Sequence, residues 1–177
     1  MGSHGGSTAE GQRRTLAALG LTEDALGCSV DARMDTVVVG TTDRGHEVPV
    51  ATAALDADGI VVVNRVKPHT NFSGRVESGL SKMLTVGLGK RAGARSFHEA
   101  ALTHGYVDTI ERALDVVRDN APVIGGVAVV ENFRDRTAHV EGVAAGDLPD
   151  AEADLLERAE EYLPTLPFDD LDALVVE

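Results

Sequence analysis

Residues 59–66 read GIVVVNRV, and residues 67–79, directly after them, read KPHTNFSGRVESG. The first segment is apolar throughout its middle and rich in β-branched side chains. That pattern predicts a central strand, buried on both faces, as in a parallel sheet. The second segment is polar and punctuated by Pro and Gly, and it predicts a loop. Open α/β sheets place their ligands at such loops, at the carboxyl ends of buried strands.

Outward from this unit the chain alternates. On its N-terminal side, Ser7 or Thr8 caps a helix running to Leu19, and Gly20 stops it. Thr22 caps a shorter turn that ends at Gly27. TVVVGTT, residues 36–42, reads as a strand, DRG at 43–45 as a turn, and HEVPV as an edge-like strand limited by Pro49. Residues 51–58 suit a short helix. On the C-terminal side, helical patterns cover about 77–88, 94–103 and 107–120. The last places Ile110, Leu114 and Val117 on one face. Residues 123–130 read as a second buried strand, 139–143 as a short strand after the RDRT turn, 150–162 as an acidic amphipathic helix, and 171–176 as a final strand. Strands alternating with helices predict an α/β fold with a mainly parallel sheet and flanking helices.

Composition narrows the class. The chain has 177 residues, 43% of them hydrophobic and only 3% aromatic, so a core of Val, Leu, Ile and Ala is expected. That suits a single α/β domain. The apolar strand at 171–176 ends the chain with nothing after it, so a fragment of a longer two-domain protein is expected. The net charge of −13 argues against nucleic acid, which calls for a basic stripe. The segment from Lys67 to Lys90 is locally basic, with Lys67, Arg75, Lys82 and Lys90. Cys28 is the only cysteine, no apolar run approaches the ~20 residues that cross a bilayer, and no signal-peptide pattern opens the chain. A cytoplasmic protein without a membrane partner is expected.

Six histidines carry the candidate proton and metal chemistry: His4, His46, His69, His98, His104 and His139. Taken singly, a surface or structural role is the better reading for each. His46, in a turn, and His139, in a polar strand, are assigned that role, and His104 beside Gly105 suits a helix C-terminus. His69 differs because it stands at the ligand edge of a strand among Thr70, Asn71, Ser73 and Gly74. Lys82 is flanked by Leu80, Met83 and Leu84. Such a lysine is either a snorkelling side chain or a nucleophile with a lowered pKa. His98 follows Phe97 in an apolar-flanked helix and is either a packed ring or a ligand. His4 lies in GSHGGST, a Gly-rich turn that opens a helix and could favour an anion.

Three of these segments together resemble the nickel-dependent lactate racemase family, in the N-terminal domain its members share. GSHGGST is similar to that family's Gly-x-His loop. KPHTNFSG with GLSKMLTVGLGK resembles its Pro-His loop, Phe-Ser-Gly turn and cofactor lysine. RSFHEA resembles the segment bearing its metal-ligand histidine, sixteen residues beyond Lys82. The match at the N-terminus favours native sequence there over an expression tag. The resemblance implies nickel held by a pyridinium-derived pincer mononucleotide attached to Lys82. It implies His98 as a nickel ligand, Ser73 and Gly74 at the cofactor, and His4 and His69 as paired acid/base groups. It implies a racemase or epimerase of a 2-hydroxy acid or related polyol acid, served by cofactor-loading proteins. GLS at 79–81 replaces the family's Gly-Gly-Arg before the lysine, which marks a divergent subgroup. The rival readings are a redox or other enzyme on the same scaffold, and a non-catalytic module holding a phosphorylated ligand at GSHGGST.

Overall fold

The computed structural model describes residues 4–164 and residues 172, 173 and 175, so most of the strand expected over 171–176 lies outside the described residues. Capping chemistry sets the first elements. Thr8 Oγ1 accepts from Gly11 N at 3.0 Å and starts α1 (Ala9–Ala18). Thr22 caps α2 (Glu23–Leu26), which Gly27 ends at a φ of 68°, a conformation glycine adopts without a Cβ penalty. Next come β1 (Thr36–Thr41), β2 (Glu47–Ala51), α3 (Thr52–Leu55) and β3 (Ile60–Arg65). After the 67–79 loop, α4 (Leu80–Lys82) runs into a π turn, Met83–Gly87, closed by Leu88 N on Met83 O at 2.8 Å. Then follow α5 (Lys90–His104), α6 (Tyr106–Asn120), β4 (Val123–Glu131), β5 (Thr137–Ala144) and α7 (Asp150–Glu161).

The fold is α/β with helices packed on a mixed sheet, and the mainly parallel sheet expected from the sequence is corrected in two places. β1 and β2 form an antiparallel pair of their own, and the second sheet runs in the order β3-β4-β5, parallel between β3 and β4 and antiparallel between β4 and β5. Connection length is the physical reason. The turns at 42–46 and 132–136 are too short for a crossover and return the chain antiparallel. The route from β3 to β4 holds α4, α5 and α6, long enough to bring the strand back parallel. Among the described residues β3 is also an edge strand, not a central one. Its inward residues are covered, while Val61 and Val63 are 55% and 65% exposed.

The main core joins Val50 of β2, Leu80 and Leu84 of the α4 segment, Leu114 and Val117 of α6, Ala128 and Val130 of β4, and Leu155 of α7. A second cluster of Val76, Val86, Phe97 and Ile110 packs against Phe72 and Tyr106. This smaller cluster positions the site, because it holds both the loop after β3 and the helix that carries His98. Among the described residues no helix is long and apolar enough to cross a membrane.

Candidate active site

The loop after β3 is pinned at both ends. Lys67 N donates to Ser78 O at 2.9 Å and Ser78 N to Lys67 O at 3.2 Å, which closes residues 68–77 into one excursion. Inside it, Val76 is fully buried and Glu77 is 3% exposed. The Glu77 carboxylate accepts from two backbone amides of its own loop, His69 N on Oε2 and Gly74 N on Oε1, the latter at 2.9 Å. Neither helix nor strand supplies these donors, so the carboxylate substitutes for secondary structure here.

His69 is half-buried at the front of this loop. Its Nδ1 accepts from Asn71 N at 3.1 Å, so the neutral ring carries its proton on Nε2. Burial lowers its pKa from the ordinary histidine value. The positive charges of Lys82 and Lys67 lower it further and Glu77 opposes them. The ring lies against Phe72, centroids 4.4 Å apart.

Lys82 reaches the same place from α4. Its Nζ stands 5.4 Å from the centroid of Phe72, and Phe72 stacks on Tyr106 at 4.6 Å. Burial lowers the pKa of this amine, and the Glu77 charge works against the shift. The α4 segment is itself clamped. Glu152 of α7, 1% exposed, accepts from Ser81 N at 2.8 Å and from the Ser81 hydroxyl. Asn64 of β3 donates to Gly79 O at 3.1 Å. A Cβ on Gly79 would fall 1.9 Å from Glu152 Oε1.

The other sequence candidates lie around this pair. Ser73 and Gly74 are exposed on the same loop. His98 is exposed on α5, its ring 5.6 Å from Phe97, which in turn lies 5.8 Å from Tyr106. An aromatic series thus leads from His69 through Phe72, Tyr106 and Phe97 to His98. His4 is exposed ahead of a short turn, Gly5–Ser7, in which Gly5 packs on the backbone of Gly11 and Gln12. Gln12 is buried and its Oε1 accepts from Lys90 Nζ at 3.1 Å, tying α1 to the first residue of the helix that bears His98. Phe72 therefore lies beside both His69 and Lys82, while His98 and His4 are linked to that pair through α5 and its aromatic neighbours.

An open hollow of about 690 Å³ lies at the carboxyl ends of β3 and β4, lined by Arg65, Lys67, Pro68, Asn132 and Phe133. It adjoins the His69 loop, at the edge where a parallel strand pair places a ligand. A separate hollow between β2, α5 and α6 holds His46, His104 and Asp108, without Lys82 or His69. Glu77, Glu152 and the Gln12–Lys90 pair are absent from the sequence reading, because single residues in loops and on exposed-looking faces carry no periodic signal.

A half-buried amine and an imidazole thus both stand beside Phe72 at the carboxyl edge of a strand in an α/β sheet. Residues 1–109 match the family model of the lactate racemase N-terminal domain, a span that takes in His4, His69, Lys82 and His98. The chain belongs to that family. None of the curated proteins matches the sequence.

Proposed function

We propose that this chain carries the reactive half of a nickel-pincer-nucleotide racemase or epimerase acting on a 2-hydroxy acid or a related polyol acid. The observation that carries the reading is the Lys82 amine, half-buried beside Phe72 and electrostatically coupled to His69, within the family-matched region. An amine whose charge is disfavoured by burial spends more of its time as a free nucleophile, which suits it as a covalent anchor.

The donor set fits such a cofactor. Among the described residues no three His, Cys, Asp or Glu side chains come together as a metal site. Nickel here would take its ligands chiefly from a bound group, and the exposed His98 imidazole is a suitable single protein ligand. Lys82 would hold the nucleotide covalently, with Ser73 and Gly74 beside it. The bound group would supply a hydride acceptor for the carbinol carbon of the substrate.

The protein supplies proton transfer. His69 is neutral near pH 7, and in the described state Nε2 is a donor, suited to the substrate oxygen. To take a hydroxyl proton at that atom the ring must first carry its own proton on Nδ1, and this requires Asn71 N to release it. Acid/base function at His69 is therefore coupled to a small movement of the 69–74 loop. His4 would serve the opposite face, so that either enantiomer meets an imidazole.

Intact-mass spectrometry and metal analysis on protein purified from its native host test the reading. A stoichiometric adduct located on Lys82, together with nickel, is expected. In Lys82→Ala the adduct is lost while the fold is retained. Cofactor mass persisting on that variant would overturn the assignment.

A further inference from the structure

We propose that Glu77 is a positioning residue for the Lys82–His69 pair, its carboxylate both fixing the 69–74 loop and supplying the negative charge against which the two groups are set. The proposal rests on Lys82 and His69 being the reactive pair argued above.

Burial makes Glu77 unusual. A carboxylate removed from water to this degree needs compensation. Among the described residues it has no ion pair within 4.0 Å, and it is satisfied by His69 N and Gly74 N instead. These are charge-assisted bonds to the amide of the candidate acid/base residue and to the amide of the turn glycine. The two amides occupy both carboxylate oxygens, and the charge that comes with those oxygens acts beyond the loop. Here the charge has a direction. It opposes the burial effect at Lys82, and at His69 it opposes burial together with the charges of Lys82 and Lys67. Glu77 thus moderates an amine and an imidazole that burial alone would shift further, and it does so from the residue that also places one of them. The charges acting on the pair are those of Glu77 and Lys67 together with the pair's own Lys82, and the ring of Phe72 lies beside both members.

The test uses the full chain without cofactor. Lys82 acetylation by acetic anhydride is followed by peptide mass spectrometry across a pH series, and hydrogen exchange is read at His69 N and Gly74 N. In Glu77→Gln the acetylation midpoint of Lys82 is expected to move down by about half a pH unit, roughly threefold more free amine at a fixed pH below it. Exchange at the two amides is expected to rise about tenfold as the second acceptor oxygen is lost. Glu77→Asp keeps the charge on a shorter stem. It is expected to hold the Lys82 midpoint near the wild-type value while the amides exchange faster, and it carries the test should Glu77→Gln not fold. Faster exchange in Glu77→Gln with an unmoved Lys82 midpoint would reduce Glu77 to a loop brace and overturn the proposal. A Glu77→Asp midpoint displaced as far as that of Glu77→Gln would overturn it too. Failure of the functional reading shows itself elsewhere, as wild-type protein from the host without a Lys82 adduct, and leaves these readouts intact.

Discussion

Lys82 costs the folded state something because its charge is held partly out of water. Its pKa in the fold lies below that of the unfolded chain, so within the window beneath the ordinary lysine value of 10.5 the unfolded chain binds the additional proton. Stability contributed by this site therefore rises with pH through that window. Lys82→Met keeps the apolar stem and removes the titration. It is expected to be at least as stable as the wild type at neutral pH and to show a smaller rise on the alkaline side, the remainder coming from Lys90, whose pKa burial also lowers, as urea midpoints over a pH series would register. A wild-type curve that stays flat on approach to pH 10 would refute the burial argument. At this scale the sequence was partly legible. Leu80, Met83 and Leu84 around Lys82 mark an amine in apolar surroundings, and Pro68 after a strand marks His69. Glu77 was illegible because its importance lies in which backbone amides the closed loop brings to it. His46 was read as surface or structural; its Nε2 is buried without a hydrogen-bond partner among the described residues, and its ring meets His104 at 5.1 Å.

The α4 segment is an element held from outside. Three residues of α-helix and one π turn are too short to be stable alone, and the clamp from α7 replaces the missing length. Gly79 has a φ of 178°, extended backbone that any residue adopts, so its constraint is the space occupied by Glu152. Gly79→Ala is expected to cost about 1–3 kcal/mol, in the range of other overpacking substitutions, and to loosen the segment that bears Lys82; equilibrium urea unfolding checks it. Burial raises the pKa of Glu152 against the pull of its two bonds from Ser81. A carboxyl with a raised folded pKa contributes stability below the unfolded value of 4.5 and loses it as pH climbs through the folded value. Glu152→Gln removes that decline, because the amide oxygen still accepts from Ser81 and no charge is buried. The variant should gain stability relative to the wild type as pH rises from 4 to 7, and a constant difference between the two would count against a buried charge. Helices with caps were legible, as Thr8, Thr22 and Gly27 show. The π turn and its clamp were not, because Ser81 and Glu152 are 71 residues apart.

Over the whole molecule, the alternation of strands and helices announced the α/β class, while sheet order depended on pairings that a local pattern does not encode. A run such as IVVV reads the same whether both faces are covered or one. In this structure one face of the β3-β4-β5 sheet is covered by α-helix and the other presents valines in register. Val63 pairs with Val127 and Val129 with Val140, and Val61, Val63 and Val140 are each more than half exposed. Contiguous apolar surface of this kind is uncommon on an isolated monomer, and a hydrophobic dye should find it. Thr is nearly the shape of Val and keeps its β-branch, so replacing both Val61 and Val63 by Thr changes the polarity of the face with little change in strand preference. The double variant is expected to unfold within about 1 kcal/mol of the wild type, as surface substitutions do, and to bind less anilinonaphthalene sulfonate, the dye response following the apolar area removed. A large loss of stability would mean that these side chains are covered in solution. Unchanged dye binding would mean that the exposed apolar surface lies elsewhere than on the valine face.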